Sequence, residues 1–307
     1  MKIGFIEPGL HVCGGIRRII EVSNRLVDRK HEVKLFTPQG RPCNWLPNQA
    51  PVFGLGSIHN HKFDIIIFNL AEQFRDALRV KAAKKVFWVL APEAMYKHPD
   101  LPIKALRQKF HLIANSKFIV KYIHQYLKNI DYQIPIIPGG INPKHFKYVK
   151  LIPQNYHTMY YGSARTWKGT NLIEQALTPL HLRNLKMEGL NTPQEKLFTL
   201  YNSATVYISA GLVEGFNFPI LEAMACGCPV ICTDDGGNKD FVKRNVNAIV
   251  IPRNVRGIQT AVRQVLGNKS LRRKLRAEGL KTASEARFDW ENVTDKFEKE
   301  LELLLEK

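Results

Sequence analysis

Apolar and polar positions along the chain switch between two periods, and each period marks a type of element. Residues 2–7 form a short apolar run that predicts a strand. Ile16, Ile19, Ile20, Val22, Leu26 and Val27 then recur at helical spacing within 15–30, and 33–37 returns to a strand pattern. This is a βαβ unit. Further apolar runs predict buried strands at 63–69, 85–90, 112–115 and 134–137, with helices near 72–83 and 117–128 between them. Such alternation predicts a parallel, doubly wound sheet.

Pro135, Pro138, Gly139, Gly140 and Pro143 interrupt the pattern, and a domain boundary is expected after 143. The alternation then restarts. Strands are predicted at 158–162, 206–209, 230–233 and 248–251, and helices at 169–177, 195–202 and 219–226. The fold class is therefore α/β, with two Rossmann-like doubly wound domains, 1–143 and 144–287, whose strand carboxyl ends face a cleft. A length of 307 residues agrees, since one core usually stops growing near ~250–300. The tail 288–307 reads as one long helix rich in Glu, Lys and Leu, with Asp289 as its N-cap.

Composition narrows the class. No run approaches the roughly 20 apolar residues that span a bilayer, and the N-terminus enters a strand pattern at once, so a cytoplasmic protein is expected. Five cysteines, Cys13, Cys43, Cys226, Cys228 and Cys232, are odd in number and lack paired C-x-x-C spacing. That excludes a disulfide framework and a paired-cysteine zinc site, and the last three read as small core residues. A formal net charge of +18 calls for an acidic partner or surface. Between Leu101 and Lys150 the sole acid is Asp131, against nine Lys and Arg. A solvated face and an anionic membrane surface both fit that stretch.

The chemistry concentrates in one segment. Glu214 and Glu222, eight positions apart, bracket Gly215-Phe216-Asn217-Phe218-Pro219-Ile220-Leu221. Pro219 suits a first helical turn and Gly227 a stop, which puts Glu214 in the preceding loop and Glu222 in the first turn. The main-chain N–H groups of Phe216, Asn217 and Phe218 would then face a diphosphate. A plain crossover helix whose acids favour its positive end is the alternative reading. Strand 230–233 runs directly into Asp234-Asp235-Gly236-Gly237, the kind of turn that cradles ligands or simply turns tightly.

The stretch from Tyr201 to Val242, above all Glu214-Gly-Phe-x-x-Pro-x-Leu-Glu222-Ala-Met-Ala-x-Gly-x-Pro-Val230 and then Gly236-Gly237, resembles the signature of the family 4 retaining glycosyltransferases of GT-B fold. The resemblance implies that Glu214 contacts the transferred sugar and Glu222 the nucleotide ribose. It implies a nucleoside diphosphate sugar as donor substrate, a glycan or lipid-linked acceptor, retention of anomeric configuration, no metal and no separate cofactor. It also implies that the final helix, from Phe288-Asp289-Trp290-Glu291, packs back on the first domain.

Other motifs fit the same family. Tyr160-Tyr161-Gly162-Ser163-Ala164-Arg165-Thr166-Trp167-Lys168-Gly169 is similar to its strand, glycine turn and Lys-Gly helix start. Lys168 and Arg165 supply two cations on one short loop, enough to neutralise a diphosphate as its bond to the sugar breaks. Cys13-Gly14-Gly15-Ile16 opens the first helix, and Gly14 and Gly15 permit close backbone approach to a phosphate or sugar.

The chain also departs from the pattern. Ser163 stands where the family usually has arginine, which is why Arg165 is the substitute, and Asn217 stands where it usually has glycine. Asp240 replaces a glutamate. The common histidine of the first domain has no counterpart near 91–93, with His98 close by. Only about twenty residues separate Leu177 from Phe198, so the second domain is expected to be short of a strand-helix unit.

Two other readings remain. A sugar-nucleotide epimerase of the same fold would use the same donor site. A basic nucleic-acid-binding protein would use the charge, but no RNP-type aromatic pattern or other recognised module is present.

Overall fold

A computed structural model describes residues 1–92, 95, 98–188 and 194–307, with the side chains of all of these but 188, 194 and 195. Contacts divide the chain into two units, Met1–Gly140 with Trp290–Lys307, and Ile141–Asp289.

The first unit runs β1 (Lys2–Ile6), α1 (Gly14–Asp28), β2 (Glu32–Thr37), β3 (Val52–Gly54), β4 (Phe63–Phe68), α2 (Phe74–Arg79), β5 (Ala82–Val89), α3 (Asp100–Leu106), β6 (His111–Ala114) and α4 (Lys117–Tyr126). All pairings are parallel, in the order β3-β2-β1-β4-β5-β6. β4 explains why the pattern was readable: in Phe63-Asp-Ile-Ile-Ile-Phe68 every residue but Asp64 is buried, as a strand covered on both faces requires. One expected strand is absent. Across 134–137 there is a single bridge, Ala114 to Ile136, because Pro135 and Pro138 have no N–H to donate to a ladder.

The second unit runs β7 (Tyr156–Gly162), α5 (Thr170–Leu177), β8 (Asn184–Glu188), α6 (Gln194–Asn202), β9 (Ala204–Ser209), α7 (Phe218–Ala225), β10 (Val230–Thr233), β11 (Ala248–Ile251), α8 (Val255–Gly267) and α9 (Lys269–Ala283). Its five strands are parallel in the order β11-β10-β9-β7-β8. β8 fills the interval in which no strand was expected. It is an edge strand with one neighbour, and its Asn-Leu-Lys-Met-Glu sequence lacks the continuous apolar run of a central strand. α8 and α9 also stand outside the expected elements.

The last helix, α10 (Trp290–Glu306), belongs to the first unit. Its Phe297, fully buried, stacks on Trp88 at 4.4 Å and on Phe5 at 6.5 Å between ring centres. The units part at Gly140/Ile141, three residues before the expected boundary, and at Asp289/Trp290. The Trp290 ring occupies the space where a side chain at Gly140 would stand, 2.4 Å from an added Cβ, whereas the Ile141 N–H bonds to Phe288 O at 2.7 Å within the second unit. No described helix is long and apolar enough to cross a membrane.

Strand order positions the site. In the second unit the chain steps outward from β7 to β8 on one side, then from β9 to β10 and β11 on the other. The order reverses between β7 and β9, so the loops leaving their carboxyl ends diverge and open a crevice.

Candidate active site

Loop 163–168 leaves β7. Its shape is set locally: Ser163 N–H bonds to Thr170 Oγ1 at 2.9 Å, Arg165 N–H to Ser163 Oγ at 3.2 Å, and Thr166–Lys168 makes one 3-10 turn. Gly169 follows with φ +71, and an added Cβ there would lie 2.3 Å from Ala210 O. Only glycine fits both the left-handed conformation and that approach.

Loop 210–217 leaves β9, and three contacts tie it to the first loop. Leu212 N–H bonds to Trp167 O at 2.7 Å. Arg253, just past β11, donates from Nε to Ala210 O at 3.0 Å and from a terminal nitrogen to Thr166 O at 3.1 Å. The third contact is chemical: Lys168 Nζ lies 2.5 Å from Glu214 Oε1. The Glu214 side chain is 8% exposed and that of Lys168 32%, so a mostly buried carboxylate is held by a cation that still reaches solvent. Removing the lysine would strand the carboxylate, the costly half of breaking such a pair.

Asp235, at the carboxyl end of β10, holds the second loop from the other side. Its carbonyl accepts the Glu214 N–H at 2.9 Å, and its carboxylate accepts from Asn217 Nδ2 at 2.6 Å and from the Asn238 N–H at 3.0 Å. Burial pushes the Asp235 carboxyl up to about 7; Glu214 pushes the same way, while Asn217, the Asn238 amide and Lys168 oppose. Gly237 lets this turn approach the Glu214 loop, since an added Cβ would sit 2.4 Å from Gly215 C and 2.5 Å from Glu214 O.

Asn217 caps α7 in the left-handed conformation, φ 66 and ψ 66, which asparagine adopts more readily than most residues. Because the helix starts at Phe218, Glu222 is its fifth residue and lies in the second turn, not the first. The free N–H groups of the helix end therefore do not orient it. Tyr201 does, donating its hydroxyl to Glu222 Oε2 at 2.9 Å with both residues buried. Burial, and then Glu222 itself, raise the Tyr201 phenol well above its usual value, so it stays a donor throughout the ordinary pH range.

The structure thus brings Lys168 and Glu214 together and sets Glu222 one turn into the adjoining helix. Gly162 ends β7 beside the Lys186 side chain, whose Cε would be 2.6 Å from an added Cβ. Arg165 is exposed and lies over the Trp167 ring, its guanidinium carbon 5.6 Å from the centroid, while the cation paired with Glu214 is Lys168. Phe216 and Phe218 turn their rings into an aromatic cluster with Phe241 and Phe288. Gly14 and Gly15 belong to the first unit and open α1 behind Cys13, whose sulfur accepts the Ile16 N–H at 3.4 Å. Cys226, Cys228 and Cys232 are buried free thiols, as expected of core residues, and burial pushes the Cys228 thiol up to about 12.

Sequence reasoning missed Tyr201 and Arg253 as parts of this site, and it flagged Asp235 only as part of a turn that could cradle a ligand or simply turn tightly. Asp235 and Arg253 each follow the carboxyl end of a buried strand, a position that flags ligand loops in doubly wound sheets. Tyr201 carried no such signal.

Residues 170–282 match the family described as glycosyl transferases group 1, a span that holds Glu214, Glu222 and Asp235 and begins two residues after Lys168. The O-antigen chain mannosyltransferase B of Escherichia coli is 36% identical over 102 residues, covering 33% of this chain and 26% of that protein. Sucrose-phosphate synthase 4 of Arabidopsis thaliana is 36% identical over 86 residues, 28% of this chain and 8% of that one. Among solved structures, sucrose-phosphate synthase from Thermosynechococcus elongatus superposes with a TM-score of 0.82 at 16% identity, covering 99% of each chain. Anabaena HepE in complex with UDP-glucose superposes at 0.76 and 18% identity, covering 98% of this chain and 99% of that one. The fold is GT-B, and within the second unit residues 170–282 are similar to the group 1 glycosyl transferases.

Proposed function

We propose that this chain, with its GT-B fold and its similarity to the group 1 glycosyl transferases, moves a sugar from a nucleoside diphosphate sugar to the hydroxyl of a glycan or lipid-linked acceptor. The observation that carries the reading is the Lys168–Glu214 pair, closed across the two loops that leave the switch-point strands. HepE, of the same fold, is solved with UDP-glucose, which supports a nucleotide sugar as donor here.

Each side chain has a task in this reading. Glu222, steadied by Tyr201, takes the ribose hydroxyls. Lys168, tied to Glu214 in the free protein, is shared with the diphosphate when donor arrives, and Glu214 then faces the transferred sugar. As the bond from the anomeric carbon to the phosphate oxygen breaks, charge grows on the leaving diphosphate, and a fixed cation stabilises it where water is excluded. Arg165 lies on the same loop and adds to that field. The acceptor oxygen bonds to the anomeric carbon on the face the diphosphate leaves, and its proton passes to the departing phosphate oxygen. Configuration is retained, and with Lys168 and the main-chain N–H groups of 216–218 carrying the charge, the reaction needs no metal. The basic stretch 101–150 would hold the protein at an anionic membrane surface where a lipid-linked acceptor resides.

A thermal-shift screen with UDP-glucose, GDP-mannose, ADP-glucose and dTDP-glucose identifies the donor, because a ligand of the native state raises its stability by mass action. Transfer is then measured for Glu214→Gln and Lys168→Ala. Both are expected to fold and to lose transfer. Normal turnover in both would overturn the assignment, and a changed free sugar formed without acceptor would point to an epimerase.

A further inference from the structure

We infer that Asp235 is a positioning residue: through Asn217 it holds the loop that presents Glu214, and so it sets how tightly the sugar end of the donor is gripped. The inference rests on the donor-site reading above.

Three contacts on one residue make the case. The Asp235 carbonyl fixes the start of the loop through the Glu214 N–H at 2.9 Å, and its carboxylate fixes the end through Asn217 Nδ2 at 2.6 Å. Residues 214–217 are therefore tied at both ends to one residue in the turn that follows a neighbouring strand. The third contact, Asn238 N–H to the other carboxylate oxygen at 3.0 Å, stops the carboxylate from turning away. Asp235 and Glu214 also flank Gly211, where an added Cβ would stand 3.6 Å from Asp235 Cβ and from Glu214 Cγ.

Asn217 gives the arrangement its specificity. Resemblance to the glycosyltransferases places a glycine here, and glycine would give the same left-handed backbone but no amide to reach Asp235. In this chain the Asn–Asp contact adds a second anchor, with Asn217 Nδ2 also 3.2 Å from Ser209 Oγ at the end of β9.

Both carboxylate oxygens accept hydrogen bonds, so the ionised form fits this cradle. Protonation would turn one oxygen into a donor facing an N–H donor, and the anchor would slacken. The charged and titratable groups around Asp235 are Glu214 from the β9 loop, Lys168 from the β7 loop, neighbouring Asp234, itself paired with Lys239 at 2.9 Å, and the Cys232 thiol on β10, which burial keeps neutral. Burial and Glu214 bring the titration of Asp235 to about 7. The anchor is thus complete above that pH and lost as pH falls through it.

The test measures dissociation constants by calorimetry from pH 5.5 to 8.5, using whichever of UDP-glucose, GDP-mannose, ADP-glucose and dTDP-glucose gives the largest thermal shift. These diphosphate sugars have no terminal phosphate titrating in that range. Wild type is expected to bind roughly tenfold or more weakly at pH 5.5 than at 8.5, since ionisation falls about tenfold per pH unit below the group's own value. Asp235→Asn removes the titration, and its affinity should stay flat across the range. Asn217→Gly keeps the backbone conformation and cuts the link, so it should fold and also bind with a flat profile. Wild-type binding that varies less than about twofold, or an unchanged pH dependence in Asn217→Gly, overturns the positioning role and leaves the donor site standing. No binding of any of the four sugars to wild type at any pH overturns the donor-site reading and this inference with it.

Discussion

Tyr201→Phe tests the support beneath Glu222 with the least disturbance. Phenylalanine keeps the ring, which packs edge-on against Tyr207 at 5.6 Å and Phe146 at 6.3 Å between centres, and deletes only the hydroxyl. That hydroxyl donates to Glu222 Oε2 at 2.9 Å, between residues 0% and 2% exposed, so water cannot take its place. Its other neighbour, the Tyr161 hydroxyl, is 3.4 Å away and contributes little at that length. A hydrogen bond to a charged acceptor contributes about 1.5–3 kcal/mol, and Glu222 has further interactions, which places the loss near the lower end, about 2 kcal/mol. For a unit of this size that lowers the melting temperature by about 4–8 °C. Calorimetric unfolding of wild type, Tyr201→Phe, Glu222→Gln and the double variant measures it, and the two single effects should fail to add by about 1 kcal/mol. Nucleotide-sugar affinity should fall with Tyr201→Phe, since Glu222 loses its orientation. A variant within about 0.5 kcal/mol of wild type, or single effects that add to within that margin, would refute the support role.

Two further outcomes follow from the geometry. Gly169→Ala should destabilise the second unit by more than about 2 kcal/mol in urea unfolding, because left-handed backbone costs alanine about 1–2 kcal/mol and its Cβ would lie 2.3 Å from Ala210 O; an unchanged midpoint would show that loop 163–168 shifts freely. In the first unit, Glu7 is buried and accepts both of its 2.8 Å contacts from Asn69 Nδ2, and burial, then Cys13, raise its carboxyl well above the usual range. The native state keeps a proton that the unfolded chain gives up, so this group's contribution to stability is fully present below the ordinary glutamate value and is lost as pH rises toward the folded one. Glu7→Gln should flatten that fall in thermal unfolding between pH 4 and 7, and an equally steep fall in the variant would count against it.

The loop and helix that carry Glu214 and Glu222 were legible because their constraints are local. Pro219 starts a helix, a left-handed residue is needed at 217, and eight positions separate Glu214 from Glu222, all visible in one short run. Glu222 moved from the expected first turn to the second because the helix starts one residue earlier, at Phe218; helix starts depend on cap geometry, and here the cap is Asn217, whose side chain makes no bond to the helix. Strand β8 escaped notice as a polar edge strand, while 134–137 was read as a strand from its apolar residues although Pro135, within the run, and Pro138, just after it, have no N–H to give a ladder.

The sequence by itself determined the doubly wound parallel class, since strands covered on both faces must be apolar almost throughout, as 63–68 is but for Asp64 and 230–233 is but for Thr233. It also determined which two loops carry the cation and the carboxylate. Only the tertiary structure decided that those loops meet. Lys168 and Glu214 are 46 positions apart, and they pair because β7 and β9 are neighbours at the point where strand order reverses, a matter of sheet topology. The same holds for Tyr201, Asp235 and Arg253. Each reaches residues distant in sequence through hydrogen bonds, and no period or spacing encodes a contact made only once the sheet has closed.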